Sequence, residues 1–400
     1  MTATSAPAHK ASAGPAPASG PLRHVLLHLV TPLLMCLGMG LAYMGAFVTP
    51  EPHDMPIAVV GSGEQTQALA QTVKDKAGDA LDVRTVGSRA QAVDALRSMD
   101  ISGAYVPDAA HPEVIVATAG SDMSAMAVQK IFTPVAAERG VPLKVTDVAA
   151  TVDDDPTGQG LFFLLVAVSI GSYASVAALG AAGAGMRMRA RAGLVVGVSF
   201  AVSLIGAALA GPVFHLAHQG LWGVWAMAWL YAAGILFVGI GLHTFLKRWT
   251  TLTMMVLFVM LNFTSSGGLF RPELQNGFFG SLHAFWNGAG FVEGIRSHLY
   301  FGGRGMAPHV WTLAAWLLLG LVITGIAALW ERRQRAAVAV PATGGEAGYG
   351  QREQREREEQ EEEMEEWGGG VGPTHHTTPP RPADPAAPLT KRDRTAPPPP

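Results

Sequence analysis

One cysteine occurs in 400 residues, and it lies within an apolar run at Cys36. Neither a disulfide framework nor a cysteine-based metal site can therefore form within one chain. A small apolar packing role suits that residue. Charge is also scarce: Asp, Glu, Lys and Arg make up 15% of the chain, against roughly a quarter in soluble domains. No lysine follows a glycine, which excludes a P-loop, because its Gly-Lys-Ser/Thr sequence supplies the phosphate cradle. There is no His-Glu-x-x-His motif and no Ser/His/Asp set at a recognisable spacing. The chain thus offers no catalytic residue, no metal site and no cofactor of its own, and reads as something other than an enzyme. A net charge of −3 gives no footprint for nucleic acid.

What the chain does have is apolar length. Hydrophobic residues make up 49%, and six runs of about 20 residues are long enough to cross a bilayer. They cover 25–48, 161–184, 194–214, 221–246, 252–270 and 310–330. The first is too long for the roughly 7–15 apolar residues of a signal peptide and reads as a retained anchor. The expected fold is an integral membrane α-helical protein of six transmembrane helices, one plus five, with a small α/β domain between helices 1 and 2. Residues 1–24 are rich in Ala, Pro and Ser and read as disordered. Residues 332–400 form a charged and Pro-rich tail of the same kind, with an Arg/Glu/Gln run at 351–366 able to support a solvated helix.

Basic residues set a direction. Lys10 and Arg23 precede the first run, Arg187, Arg189 and Arg191 join the second to the third, Lys247 and Arg248 join the fourth to the fifth, and Arg332, Arg333 and Arg335 follow the sixth. With six crossings all four groups fall on one side, the cytoplasm, which puts both termini there. The insert, with 16 acidic against 8 basic residues between 49 and 157, falls outside. A multi-pass membrane protein follows.

Within the insert, 57–60, 81–86, 101–106, 114–118 and 143–148 read as strands, and 64–77 and 123–139 as helices. A further helix opens at Ser88, with Gln91 completing a capping box. Such alternation predicts βαβ units at 49–158. Gly61-Ser62-Gly63 lacks a third glycine and reads as a tight turn. Asp153, Asp154 and Asp155 read as a solvated linker. Small residues in the spans, including Gly193 and Gly197, read as packing positions, with a dimer contact as the other option. Trp222, Trp225 and Trp229 read as interfacial anchors. The span interiors hold only His28, His243 and Asn262 as strongly polar groups, which disfavours a proton or sodium antiporter.

After the fifth run comes Asn262-Phe-Thr-Ser-Ser-Gly-Gly-Leu-Phe-Arg-Pro-Glu-Leu274, then Gly277-Phe278-Phe279, Phe285-Trp286-Asn287-Gly288-Ala289-Gly290 and Glu293-Gly294-Ile295-Arg296. Gly267 and Gly268 interrupt an apolar run and let the chain turn back within the membrane, giving a re-entrant segment near 264–308 inside a five-helix membrane domain at 159–331. Glu293 and Arg296 stand three apart and can pair. Arg271 and Glu273 fit an interfacial or a gating role equally.

This segment resembles the last extracellular region of type-2 ABC exporter permeases, closest to the phage-infection-protein-like (Pip/YhgE-like) bacterial membrane proteins. The resemblance covers about 25–331. It implies a permease subunit moving amphipathic compounds or lipids outward, powered by ATP through a separate P-loop ATPase, and working as a homodimer or paired permease. It further implies an outer gate or substrate path at Asn262, Ser266, Gly267, Gly268, Glu273, Glu293 and Arg296, and a cytoplasmic coupling loop at Arg187, Arg189 and Arg191. Against the family pattern, the N-terminus lacks an amphipathic helix and the 187–191 link is short. The alternative is a non-transporting envelope protein whose outer domain binds a protein or surface ligand.

Overall fold

The structure is a computed structural model and describes residues 19–138, 140–183 and 185–338. The charged run at 351–366 and the rest of the tail beyond 338 lie outside the described residues, as do residues 1–18. The first helix, α1 (Ser19–Phe47), begins before residue 25, so 19–24 join it rather than a disordered lead.

The insert folds as β1 (Met55–Val60), α2 (Glu64–Ala77), β2 (Leu81–Val86), α3 (Arg89–Arg97), β3 (Gly103–Val106), β4 (Glu113–Val116), α4 (Asp122–Ala137) and β5 (Lys144–Asp147). The sheet order is β2-β1-β3-β4-β5, with only the β3–β4 pair antiparallel. Strand alternation sorts its side chains to two faces. Ile57, Val59, Tyr105, Val114 and Val116 pack beneath α2 and α4. Ala58, Val60, Ala104 and Ile115 pack against α3. Tyr105 stacks on Phe132 with ring centroids 4.6 Å apart. Ser88 caps α3 by accepting from the Gln91 N–H (3.3 Å), and the Gln91 side chain reaches back to Gly87 N–H (2.9 Å), one residue earlier than in the usual box. Gly61, at φ 137°, makes the expected turn into α2.

Neither face is closed by the insert alone. Leu274 is buried in the first core with Phe270 against it, and Phe301 is buried in the second with Tyr300 against it. Both pairs come from the far end of the chain and hold the sheet between them.

Among the described residues, four helices are long and apolar enough to cross a membrane: Gly160–Ala182, Met188–Val213, Leu221–Thr264 and Met306–Ala336, with a shorter apolar helix at Pro32–Phe47. The third is a hairpin. Helix α7 (Leu221–Leu246) ends where Lys247 takes φ 46°, and α8 (Thr250–Met255) starts the return, which continues to α9 (Asn262–Thr264). The two legs pair antiparallel: His243 meets Thr250 at 3.2 Å, and Tyr231 meets Asn262 at 2.6 Å. The returning leg stops at Thr264, short of the expected 270. Thr264 and Ser265 turn their hydroxyls onto the carbonyls of Met260 and Leu261, and Gly267 then takes φ 73°. Competing side-chain bonds of this kind, followed by a left-handed glycine, end a helix.

Helix α6 (Met188–Ala208) also departs from expectation. It begins at Met188 rather than 194, because Met-Arg-Ala-Arg-Ala are strong helix formers. Arg189 and Arg191 are therefore helical, and the α5–α6 link shrinks to a few residues; α5 is Gly160–Ala182. Helix α12 (Met306–Val338) runs past 330, so residues 332–338 belong to it and not to a tail.

Helix α7 is the hub, buried along most of its length against α5, α6 and α12. A Cβ on Gly241 would come within 2.8 Å of Thr324 N, and one on Gly320 within 2.9 Å of Val238 N. Backbone contact at this spacing requires glycine. Gly193 and Gly197 differ, since a Cβ on either meets nothing within 4 Å. They face outward and are not packing positions within the chain. The outward faces of α1, α5, α6 and α12 carry exposed Leu33, Leu37, Phe163, Ile205, Leu318 and Val322, an apolar belt suited to hydrocarbon rather than water.

Two other readings change. Asp155 is buried, and its carboxylate accepts from Gln159 N–H (3.1 Å) and Gly160 N–H (2.8 Å), so it caps α5 instead of lying in a solvated linker. The tryptophans do more than anchor: Trp225 stacks on Trp229, whose indole N–H donates to Ser199 on α6 (3.1 Å).

Candidate functional site

Between α9 and α12 the chain folds into α10 (Gly277–His283) and α11 (Asn287–Tyr300). Helix α11 is buried from Asn287 to Ser297, although it carries both Glu293 and Arg296. Unpaired charge in such a place is costly, so its partners define the site.

The Glu293 side chain is 2% exposed and Arg296 is 4% exposed; they form an ion pair one turn apart on α11. A second nitrogen of Arg296 donates to Gly267 O at 3.1 Å. Arg271 stands 3.9 Å from the other oxygen of Glu293 and 3.5 Å from Glu273. The Glu273 carboxylate accepts hydrogen bonds from Ser102 (2.8 Å) and Ser124 (3.1 Å), both in the α/β domain. Its backbone carbonyl accepts from His53 N–H (2.8 Å). A continuous chain of alternating charge therefore runs Arg296, Glu293, Arg271, Glu273 and ends on two hydroxyls of the insert. Two positive and two negative groups cancel, which lets the set sit in a dry interior.

His283 completes the set. Its Nδ1 lies 2.9 Å from Ser265 O, which requires a proton on Nδ1, and its Nε2 is 3.9 Å from Glu293. Gly267 is wedged against both, since a Cβ there would fall 2.6 Å from the His283 ring and 2.8 Å from Glu293 Oε1. Only glycine meets that crowding together with φ 73°. At Gly268 an added Cβ would strike Phe162 at 2.8 Å. Ser266 donates to Phe263 O (3.0 Å) and accepts from Gly268 N–H (3.2 Å), which fixes the turn. The Gln275 amide donates to Thr264 O (2.7 Å) and secures the last carbonyl of the returning leg.

Asn262 belongs to a separate relay. Its Oδ1 accepts from Gly288 N–H at 2.7 Å, and its Nδ2 donates to Tyr231 at 2.6 Å. Ser169 donates to Leu165 O at 2.7 Å, so the 2.6 Å contact between Ser169 and Tyr231 must have the phenol as donor. The relay ties α5, α7, α9 and α11 at one level of the bundle. Next to it, both amide atoms of fully buried Asn287 lack a hydrogen-bond partner among the described residues.

The residues expected at a gate thus come together in part. Gly267, Gly268, Glu273, Glu293 and Arg296 form one cluster with Ser266 at its turn, and Asn262 supports α11 from beneath. The 187–191 arginines lie elsewhere and divide: Arg187 and Arg189 are exposed, whereas Arg191 is buried and pairs with Glu331 of α12 at 3.0 Å. Arg191 is a helix-to-helix tie and not part of an open loop. Sequence reasoning missed His283, Gln275, Tyr231, Ser102 and Ser124, and left Arg271 undecided. Nothing local marks them, since each acquires its meaning from a partner far away in the chain. Among the described residues, no group of three or more His, Cys, Asp or Glu is placed to hold a metal ion.

Compared with known proteins, the chain matches no family model, no curated protein and no solved structure.

Proposed function

We propose that this chain is the membrane permease subunit of an exporter, moving amphipathic compounds or lipids outward with energy from a separate ATPase. In this reading α1, α5, α6, both legs of the α7 hairpin and α12 make six crossings, the termini lie in the cytoplasm and the α/β domain lies outside. The observation that carries it is the charge chain from Arg296 to Glu273. It joins a broken, buried segment at one end of the bundle to the α/β domain, so movement of either must be felt by the other. Polar groups retained at cost inside a membrane bundle mark a working part, and irregular backbone there fits the wall of a path.

The test combines two measurements. A pull-down from native membranes should bring a P-loop ATPase with the chain, and Gly268→Leu, which forces Phe162 aside, should stop efflux of a fluorescent amphipath while the protein still inserts. Wild-type efflux from that variant would remove the gate. Absence of any ATPase would favour the second reading, a non-transporting envelope protein that binds a ligand through its α/β domain. One observation favours that alternative: of the three arginines expected to form a coupling loop, Arg191 is buried against Glu331 and just Arg187 and Arg189 stay exposed, leaving little basic surface for an ATPase to grip.

A further inference from the structure

Two cavities flank the turn at 157–159. The first, about 370 Å³, opens between the start of α5 and the end of α6, with Phe163, Leu164, Ala167, Leu209 and Phe214 as its walls and Asp154 at its rim. Its volume falls in the range of roughly 300–1,000 Å³ typical of small-molecule sites. Phe163 and Phe214 are 60% and 58% exposed, so its mouth continues into the apolar belt of the bundle. The second, about 190 Å³, lies between the α/β domain and the re-entrant segment and is lined by Ser121, Asp122, Gly158, Gly268 and Arg296 among others. Thr157 and Gln159 line both.

The two differ in chemistry. The first is hydrocarbon-like and faces the place where lipid would be. The second is lined by one acidic and one basic side chain, Asp122 and Arg296, among neutral donors and acceptors, so its lining carries no net formal charge. An anionic group there would meet Asp122, and a cationic one would meet Arg296. Asp155, between the cavities, has both oxygens engaged by backbone N–H groups and is not free to bind a cation.

We infer that these cavities together take a single-tailed amphipath whose polar head carries no net charge. The tail enters from the bilayer and lies against Phe163, Leu164 and Leu209. The head passes Thr157 and Gln159 and rests beside Arg296 beneath the α/β domain. This deepens the transport reading above and rests on it for the direction of travel, though not for binding itself.

The experiment uses the full chain in nanodiscs of phosphatidylglycerol and a lysophosphatidylcholine probe with a diazirine in its tail. Photolabelling should concentrate on peptides containing 160–167 and 209–214. Excess unlabelled lysophosphatidylcholine should reduce it at least tenfold, whereas lysophosphatidylglycerol and free glycerophosphocholine should not. Ala167→Trp, at an exposed position on the cavity wall, should lower labelling about tenfold and leave the melting temperature unchanged. Leu318→Trp, on the exposed face of α12, should leave labelling as it was. Labelling spread evenly over α5, α6 and α12, equal competition by lysophosphatidylglycerol, or full labelling of the Ala167→Trp protein would each overturn the assignment. Binding without efflux would sink the transport reading alone; efflux without this labelling would sink the cavity assignment alone.

Discussion

Glu273 and Ser102 stand 171 positions apart in the chain, and a 2.8 Å hydrogen bond joins their side chains. Ser124 adds a second bond to the same carboxylate oxygen. A half-buried carboxylate bonded to two hydroxyls and beside a guanidinium is a strong local tie. Glu273→Ala should cost about 1–3 kcal/mol and speed hydrogen exchange in the 101–106 and 122–126 peptides. If exchange there stayed at the wild-type rate, the carboxylate would not hold the α/β domain in place.

Glu293 faces Arg296, Arg271 and His283. Glu293→Gln alone leaves the two guanidinium groups against one carboxylate and should cost about 3–5 kcal/mol. Replacing Glu293 and Arg296 together by Met leaves Arg271 paired with Glu273. The double variant should be distinctly more stable than the sum of the single losses predicts. Additive losses in thermal unfolding would mean the two residues do not act as a pair.

Acid should loosen the α/β domain through Glu113. Arg89 donates two hydrogen bonds to its carboxylate, at 3.0 and 2.9 Å, and Thr146 donates a third at 2.6 Å. The Arg89 bonds lead in holding the carboxyl at about 2, against an ordinary 4.5. A group whose folded value is depressed stabilises the fold above its unfolded value and loses that contribution as pH falls through the folded one. Stability of the β4–β5 edge should therefore be full above about 4.5 and decline toward 2. In Arg89→Gln the decline should be shallower, as read by hydrogen exchange at 113–116 and 144–147. An identical slope in both proteins would rule Glu113 out as the cause.

Two kinds of glycine should respond in opposite ways. Gly241→Ala pushes a methyl into the backbone of α12 at Thr324 and should lower the melting temperature by several degrees. Gly193→Ala and Gly197→Ala point into open space and should leave it unchanged or slightly raised, since alanine favours helix. A melting temperature for Gly241→Ala at or above that of Gly193→Ala would contradict the α7–α12 contact.

The basic group at 187–191 should separate by role. Arg191→Glu sets two acids face to face at Glu331, and Arg191→Glu with Glu331→Arg should restore the melting temperature. Arg187→Glu with Arg189→Glu should leave stability unchanged but lower recovery of an ATPase in the pull-down. Should the exposed pair destabilise and the buried one not, the assignment would be reversed.

Much of the secondary structure was legible because its limits are local. Helix α2 and helix α7 begin after Gly63 and Gly220, and β2 is bounded by Ala80 and Gly87. These glycines interrupt periodic runs, and the runs can be seen without knowing the fold. The end of the returning leg was less visible. Its apolar run continues through Leu269 and Phe270, so hydropathy alone carries the helix past the point where serine hydroxyls and Gly267 stop it. The turn at Gly267 and Gly268 and the Glu293–Arg296 pair were anticipated from spacing. The extension of that pair through Arg271 and Glu273 into Ser102 and Ser124 was not, because no local pattern links residues so distant. His283 carries no signal in the sequence, since its role depends on Ser265 against one nitrogen and Glu293 near the other.

Leu274 and Phe301 have one more consequence, for the order in which the protein is made. The α/β domain is synthesised before α5, yet each face of its sheet is completed by a side chain that follows the fifth apolar leg. Its two cores must remain partly open while more than a hundred further residues emerge and the hairpin of α7 is placed. Maturation of the domain is then a late event, set by completion of the bundle rather than by the domain's own sequence. A ribosome-stalled chain ending before residue 270 should carry a protease-sensitive insert, and one ending beyond 338 a resistant insert.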